Sequence, residues 1–281
     1  MNDKKLQDEV LCPHTSKVIT VGSEINNTCT VRLLSDLHIE GHAHPDLYPS
    51  LGEDVLVLAG DIHVGAENVY RVLKEFKQYQ NNIVYVPGNH EYYRQEFMST
   101  NLALEEYCSE LGIYYLNPGV CFYTDHLSYQ SGPRSAFDGV AIIGCTLWSD
   151  CGNPIDKLAI RNGINDFRLI TYDTEQFTPD LAAKINSEHL AFIKAQDYKR
   201  KLIVTHFLPA TECIDPRYEA SPLNTYFANN LGDYIQGLEN TTWLFGHTHE
   251  NVDLKIGTTR LIANPYGYGY HRHYKERLIN I

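Results

Sequence analysis

Five short polar segments, spread from Asp36 to His249, each follow an apolar run of strand type. Asp36-Leu37-His38 follows residues 31–34, Gly60-Asp61 follows 55–59, and Gly88-Asn89-His90-Glu91 follows 83–86. Thr205-His206 follows 202–204, and Gly246-His247-Thr248-His249 follows 243–245. Open α/β sheets place their ligand crevice outside the carboxyl ends of the strands. One Asp-x-His or His-x-His arises in loops by chance, but five such segments after five strands constrain the fold: those strand ends must converge. Both the first and the last segment supply ligand-type side chains, so the 281 residues are expected to form one catalytic domain rather than two.

The pattern between the segments supplies the rest of the architecture. In 67–80, Val69, Val72, Leu73 and Phe76 recur at helical spacing with polar residues opposite. That helix joins the strands at 55–59 and 83–86 as a β-α-β unit, so the sheet around it should be parallel. A second helix is predicted over 94–111, stopped by Gly112 as a C-cap. Short strands at 113–116, 120–123 and 140–145 open a second sheet. Residues 147–178 are irregular and read as a long functional loop or small cap helices. A helix over 179–195 starts at Pro179, and another lies within 223–235. Strands at 252–256 and 259–262 turn at Gly257 before a last strand. Residues 1–29 read as an N-terminal extension with one strand near 17–21, and 30–281 as the domain. These elements predict an α/β fold, a four-layer α/β/β/α sandwich of two mixed sheets with flanking helices.

Composition excludes several function classes. No apolar stretch approaches the ~20 residues that span a bilayer, and the first ten residues are polar and acidic where a secretory signal needs an apolar core. Seven cysteines without a CxxC pair read as free thiols and structural fillers of a reducing, cytoplasmic compartment. With 23 Lys and Arg against 35 Asp and Glu, a net charge of −12 disfavours large nucleic acids. Divalent cations held by residues such as Asp36 and Asp61 would still leave a positive charge locally, enough to attract an anion.

Carboxylate, imidazole and amide oxygen donors, with no cysteine beside them, suit borderline-hard ions such as Mn²⁺, Fe²⁺, Zn²⁺ or Co²⁺. Two residues apart on a strand, Asp36 and His38 point the same way, and the turn beyond lets both reach one ion; His247 and His249 repeat that spacing. Taken in order, the segments resemble the blocks D-x-H, G-D, G-N-H-[DE], H and G-H-x-H of calcineurin-like metallophosphoesterases. The resemblance runs from Leu33 to the last strand, and the four-layer sandwich is the architecture it implies. It also implies two divalent metal ions, Mn²⁺ foremost, with Fe²⁺, Zn²⁺, Co²⁺ or Ni²⁺ as alternatives. By the same resemblance, one ion takes Asp36, His38, Asp61 and His249, and the other takes Asp61, Asn89, His206 and His247. His90 then protonates the leaving oxygen as general acid while a hydroxide bridging the ions attacks phosphorus.

Other residues read less specifically. His63, two past Asp61, is a candidate pocket residue, and Arg168 and Arg260 are candidate phosphate partners. His42 and His44 fit no motif block and read as solvated loop residues; His271 and His273 belong to a tail turn. Tyr92, Tyr93, Trp148, Tyr266, Tyr268 and Tyr270 are available to stack on a base, although 20 tyrosines in one chain mostly serve packing. The stretches Asn165-Asp166-Phe167-Arg168 and Asn264-Pro265-Tyr266-Gly267-Tyr268 are similar to those of a generic bacterial or phage-type branch. Relatives that are protein Ser/Thr phosphatases carry G-D-x-V-D-R-G, and here Gly60-Asp61-Ile62-His63-Val64-Gly65-Ala66 lacks both the second Asp and the Arg. The expected activity is therefore hydrolysis of a small phosphodiester, with a nucleotide as one substrate class. A phosphomonoesterase (nucleotidase or protein Ser/Thr phosphatase) is the alternative, and a non-catalytic metal-binding scaffold the alternative of another class. Substrate, native ion and oligomeric state stay open at the level of sequence.

Overall fold

In the computed structural model the described residues are 17–20 (backbone only), 28–41, 45–124, 139–268 and 274–281. His42, His44, Tyr270, His271, His273 and Cys12 lie outside them. Elements are numbered in chain order. In the first sheet β2 (Thr30–Leu34), β3 (Val55–Ala59), β4 (Ile83–Val86) and β5 (Tyr114–Tyr115) run parallel. The strand β14 (Ile279–Asn280) closes the β2 edge antiparallel.

The second sheet has seven strands in the order β1 (Lys17–Thr20), β6 (Gly119–Thr124), β7 (Val140–Cys145), β10 (Lys201–Thr205), β11 (Thr241–Phe245), β13 (Thr259–Ala263) and β12 (Val252–Ile256). Its pairs are parallel except β6 with β7 and β13 with β12. The predicted strand near 17–21 is thus the edge strand β1, drawn from the stretch read as an extension.

Strand periodicity divides the chain between three packed layers of apolar contact. Val55, Val57 and Ala59 of β3 face inward with Ile142, Leu202, Val204, Leu244 and Ile262 of the other sheet. The alternate residues Leu56 and Leu58 face outward onto α1 (Ala66–Lys77) and α2 (Phe97–Leu111). On the far side, Ala141, Ile143, Ile203, Trp243 and Phe245 face α5 (Pro179–Lys194) and α7 (Gly232–Gln236). Burial on both faces explains why these strands read as continuous apolar runs rather than alternating ones. Each fully buried Val, Leu or Ile contributes roughly 1.5–3 kcal/mol, so the expected α/β/β/α sandwich is what this pattern stabilises.

Two expectations change in detail. The strand expected at 113–116 to open the second sheet is β5, which pairs parallel with β4 in the first. The helix expected within 223–235 is two short helices, α6 (Asn224–Phe227) and α7, because Asn229 between them is drawn into the interior. Its amide donates to the carbonyls of Leu147 and Leu208 and accepts from Asn186. As one of its two readings expected, the irregular stretch 147–178 carries small helices, α3 (Pro154–Gly163) and α4 (Asp166–Leu169), and adds a hairpin of β8 (Thr171–Tyr172) with β9 (Glu175–Gln176). It covers the strand ends with an aromatic cluster of Tyr92, Phe97, Trp148, Phe167, Phe177 and Tyr226. Among the described residues, no helix is long and apolar enough to cross a membrane.

Candidate metal centre

All five polar segments follow the carboxyl ends of strands interior to their sheets, three in the first and two in the second, and their side chains meet there. Asp36, His38, Asp61, His247 and His249 all have positive φ, between 45° and 65°. Such backbone is unfavourable for side chains larger than glycine and concentrates at functional sites. The two-residue spacing therefore works through left-handed turns beyond the strands, not through strand alternation. Neighbouring glycines give the chain room. A Cβ on Gly60 would collide with His206 Nδ1, and one on Gly88 with the Asp61 carboxylate.

The seven predicted donors come together. Donor atoms of Asp36, His38, Asp61 and His249 lie within 4.8 Å of one another, and so do those of Asp61, His206 and His247. Asn89 Oδ1 joins the second group 3.1 Å from His206 Nε2. Asp61 belongs to both groups, Oδ2 being 3.8 Å from His38 Nε2 and Oδ1 3.4 Å from His206 Nε2.

Their hydrogen bonds fit cation binding. His206 Nδ1 donates to the Ala59 carbonyl at 2.9 Å, which turns Nε2 inward toward Asn89 Oδ1, Asp61 Oδ1 and His247 Nδ1, the last at 3.1 Å. His38 Nδ1 donates to Glu40 at 3.2 Å, which leaves Nε2 facing His249 Nε2, also at 3.2 Å. Histidines whose second nitrogen donates outward to a carbonyl or carboxylate are the usual form of metal ligands. Converging lone pairs need a positive charge among them, and two divalent ions satisfy this donor set.

The electrostatics agree. Burial pushes the Asp36 carboxyl up, but the hydrogen bond and charge of His249 outweigh it and hold the group at about 2. Burial acts the same way on Asp61, and His206, His90 and His38 together drive it well below the carboxylate range. Burial pushes His206 down, yet Asp61, Asp36 and the Ala59 carbonyl raise it to about 10.

His90 stands at the rim in a 3-10 turn, His90–Tyr92. Its N–H donates to Asp61 Oδ1 at 2.9 Å, and its Nε2 is 3.9 Å from Asp61 Oδ2. Burial lowers its proton affinity; Asp61 and Glu40 reverse that and raise it to about 9. Tyr268 lies stacked on His38, ring centres 4.2 Å apart, and is 52 % exposed on the open side.

Three functional carboxylates went unread in the sequence. Asp166 is buried and accepts from Asn89 Nδ2 at 3.0 Å, Tyr93 at 2.8 Å and Tyr226, so it fixes which way the Asn89 amide faces. Glu91 accepts the backbone N–H of Asp61, Ile62 and Gly88 and the Tyr85 hydroxyl, tying two motif loops together. Glu40 reaches both His38 and His90. Glu91 and Asp166 sit inside stretches already singled out, whereas only its position two past His38 marks Glu40.

The weaker candidates fare differently. Arg260 is not in the centre: it pairs with Asp253 at 2.8 Å and lies opposite Thr242, at the start of the parallel strands. Arg168 is exposed and bonds Asn165 in its own turn, leaving Asp166 as the member of that stretch that reaches the site. His63 is half-buried in the loop after Asp61, with Nδ1 on the Val64 carbonyl. Of the aromatics, Tyr92, Trp148 and Tyr266 are buried packing residues. Tyr93 lies 4.2 Å from the His90 ring, and among the described candidates Tyr268 is the one that stays open.

The chain is similar to known proteins over most of its length. The family description "calcineurin-like phosphoesterase" matches residues 30–251. An uncharacterized protein of Acanthamoeba polyphaga mimivirus is 27% identical over 268 residues, covering 86% of this chain and 92% of that one. The phosphopantetheinyl hydrolase of Mycobacterium tuberculosis shares the fold at a TM-score of 0.67 and 17% identity, over 90% of this chain and 95% of the other. A family match across most of the chain, laid over this donor set, gives its class: the chain belongs to the calcineurin-like phosphoesterase family and is a metal-dependent phosphoester hydrolase.

Proposed function

We propose that the protein is a phosphodiesterase for small substrates, nucleotides among them, working with two divalent ions, Mn²⁺ foremost, in the cytoplasm. The observation that carries this reading is the sharing of Asp61 between two donor groups, with His90 Nε2 3.9 Å from the shared carboxylate. Asp36, His38, Asp61 and His249 would hold one ion, and Asp61, Asn89, His206 and His247 the other. When bound, such a pair supplies Lewis acidity toward the phosphoryl oxygens and acidifies a water for attack.

The chain's own groups do the rest. His90, whose Nε2 lies 3.9 Å from the shared carboxylate, gives a proton from Nε2 to the leaving oxygen as its bond to phosphorus breaks. Tyr268 offers an exposed ring beside the centre for a planar group of the substrate. The six described cysteines are buried free thiols, in keeping with a reducing compartment.

The test is hydrolysis of a chromogenic phosphodiester and the matching monoester by metal-free protein titrated with Mn²⁺. Diester cleavage is expected to dominate and to require the metal. His90→Ala should lower kcat by about 10²–10⁴-fold on substrates with poor leaving groups. Monoester preference would instead make the protein a phosphomonoesterase. No turnover with Mn²⁺, Fe²⁺, Co²⁺ or Zn²⁺ would overturn the reading.

A further inference from the structure

Glu40 occupies a place that the motif blocks leave vacant. The stretch after Asp61 reads Ile62-His63-Val64-Gly65 and offers no carboxylate to His90. His90 Nδ1 is buried and makes no hydrogen bond of normal geometry among the described residues. The anionic oxygen beside it is Glu40 Oε1 at 3.4 Å, and the same oxygen lies 3.2 Å from His38 Nδ1. Around the His90 ring, Tyr93 packs at 4.2 Å and His38 meets it edge-on at 4.5 Å. These contacts limit tilt, but ring contacts cannot tell one imidazole nitrogen from the other. A carboxylate on the Nδ1 side can, because its charge at 3.4 Å favours a proton on that nitrogen and leaves Nε2 facing Asp61 Oδ2.

We propose that Glu40 is the positioning residue for His90, fixing its ring so that Nε2 delivers the proton, while the same carboxylate oxygen orients the ligand His38. This inference rests on the reading of His90 as general acid. It makes one side chain serve both the cation site and the proton donor, from a segment that precedes His90 by fifty residues and lies on a different strand end. Glu40 is 27 % exposed along its side chain, so an isosteric amide can replace it without opening the core.

Glu40→Gln separates the two duties when assayed on two diesters, one with an acidic aryl leaving group that departs without a proton and one with an alkyl leaving group that needs one. Mn²⁺ affinity is measured in parallel by calorimetry. The expected result is an Mn²⁺ affinity weakened by up to about 10–100-fold through His38 and, at saturating Mn²⁺, a ratio of alkyl to aryl kcat lower by about 10²-fold. At saturating Mn²⁺, adding Glu40→Gln to His90→Ala should leave the ratio of the His90→Ala variant unchanged, since both act on it through one proton. Equal losses on the two esters at saturating Mn²⁺ would confine Glu40 to His38 and overturn the inference, as would a further fall of the ratio in the double variant. If His90→Ala alone fails to discriminate between the esters, the general-acid reading falls, and this inference with it. If His90→Ala discriminates and Glu40→Gln does not, only the assignment of Glu40 fails.

Discussion

Asp166 is a single carboxylate that receives three donors, from Asn89, Tyr93 and Tyr226, with no exposure to water. Because Asn89 Nδ2 is held by Asp166, Oδ1 must face the cation site. In Asp166→Asn, an NH₂ group would meet one of these donors, and the Asn89 amide would lose its reason to face inward. Outer-shell changes of this kind weaken metal affinity by about 10–100-fold. One of the two Mn²⁺ binding steps in calorimetry should shift by that factor while the other stays near wild type; equal weakening of both would mean that Asp166 supports the fold generally. The residue scale is also where sequence was least informative. Asp166 and Arg168 share one stretch, and composition favoured the arginine as phosphate partner; only the turn of α4 puts Asp166 inward and Arg168 into solvent.

Between elements, the site depends on loops held at strand ends, and Glu91 is what holds two of them. It accepts three backbone N–H groups, from Asp61, Ile62 and Gly88, at 2.9–3.1 Å. An amide at this position would set its NH₂ against one of those donors and leave it unpaired. Glu91→Gln should therefore lower the unfolding free energy of the metal-free protein by about 1–3 kcal/mol, read as a lower midpoint in urea with unchanged slope. An unchanged midpoint would show that the loops hold without it. Strands and α1 were legible because burial imposes a period on adjacent residues, as Val69, Val72, Leu73 and Phe76 show. The break between α6 and α7 was not, because it depends on Asn229 meeting Leu147 and Leu208, which are distant in sequence.

At the scale of the whole molecule, the donors come from both ends of the chain and from both sheets, so a cation that bridges them ties the two sheets together. Such binding stabilises the native state by mass action, about 2.7 kcal/mol at a metal concentration 100 times the dissociation constant. Mn²⁺ should accordingly raise the Tm of metal-free protein by several degrees, and Asp61→Asn, which removes the shared ligand, should remove most of that rise. An equal rise in the variant would mean that the ion binds elsewhere. The net charge of −12 acts against any anionic substrate at long range, so the attraction must come from the centre itself.

The sequence by itself determined that five strand ends carry Asp36, His38, Asp61, Asn89, His206, His247 and His249, that the sheets are covered by helices, and that His90 stands among the donors. These follow from local rules, since apolar period and motif spacing act over a few residues. The tertiary structure alone decided that the two-residue spacings work through left-handed turns, that Arg260 belongs to the opposite end of its strand, and that Glu40, Glu91 and Asp166 contact the centre. Those relations are set by how two twisted sheets stack and where each loop turns, and a carboxylate's partners thirty to eighty residues away leave no periodic trace in the chain.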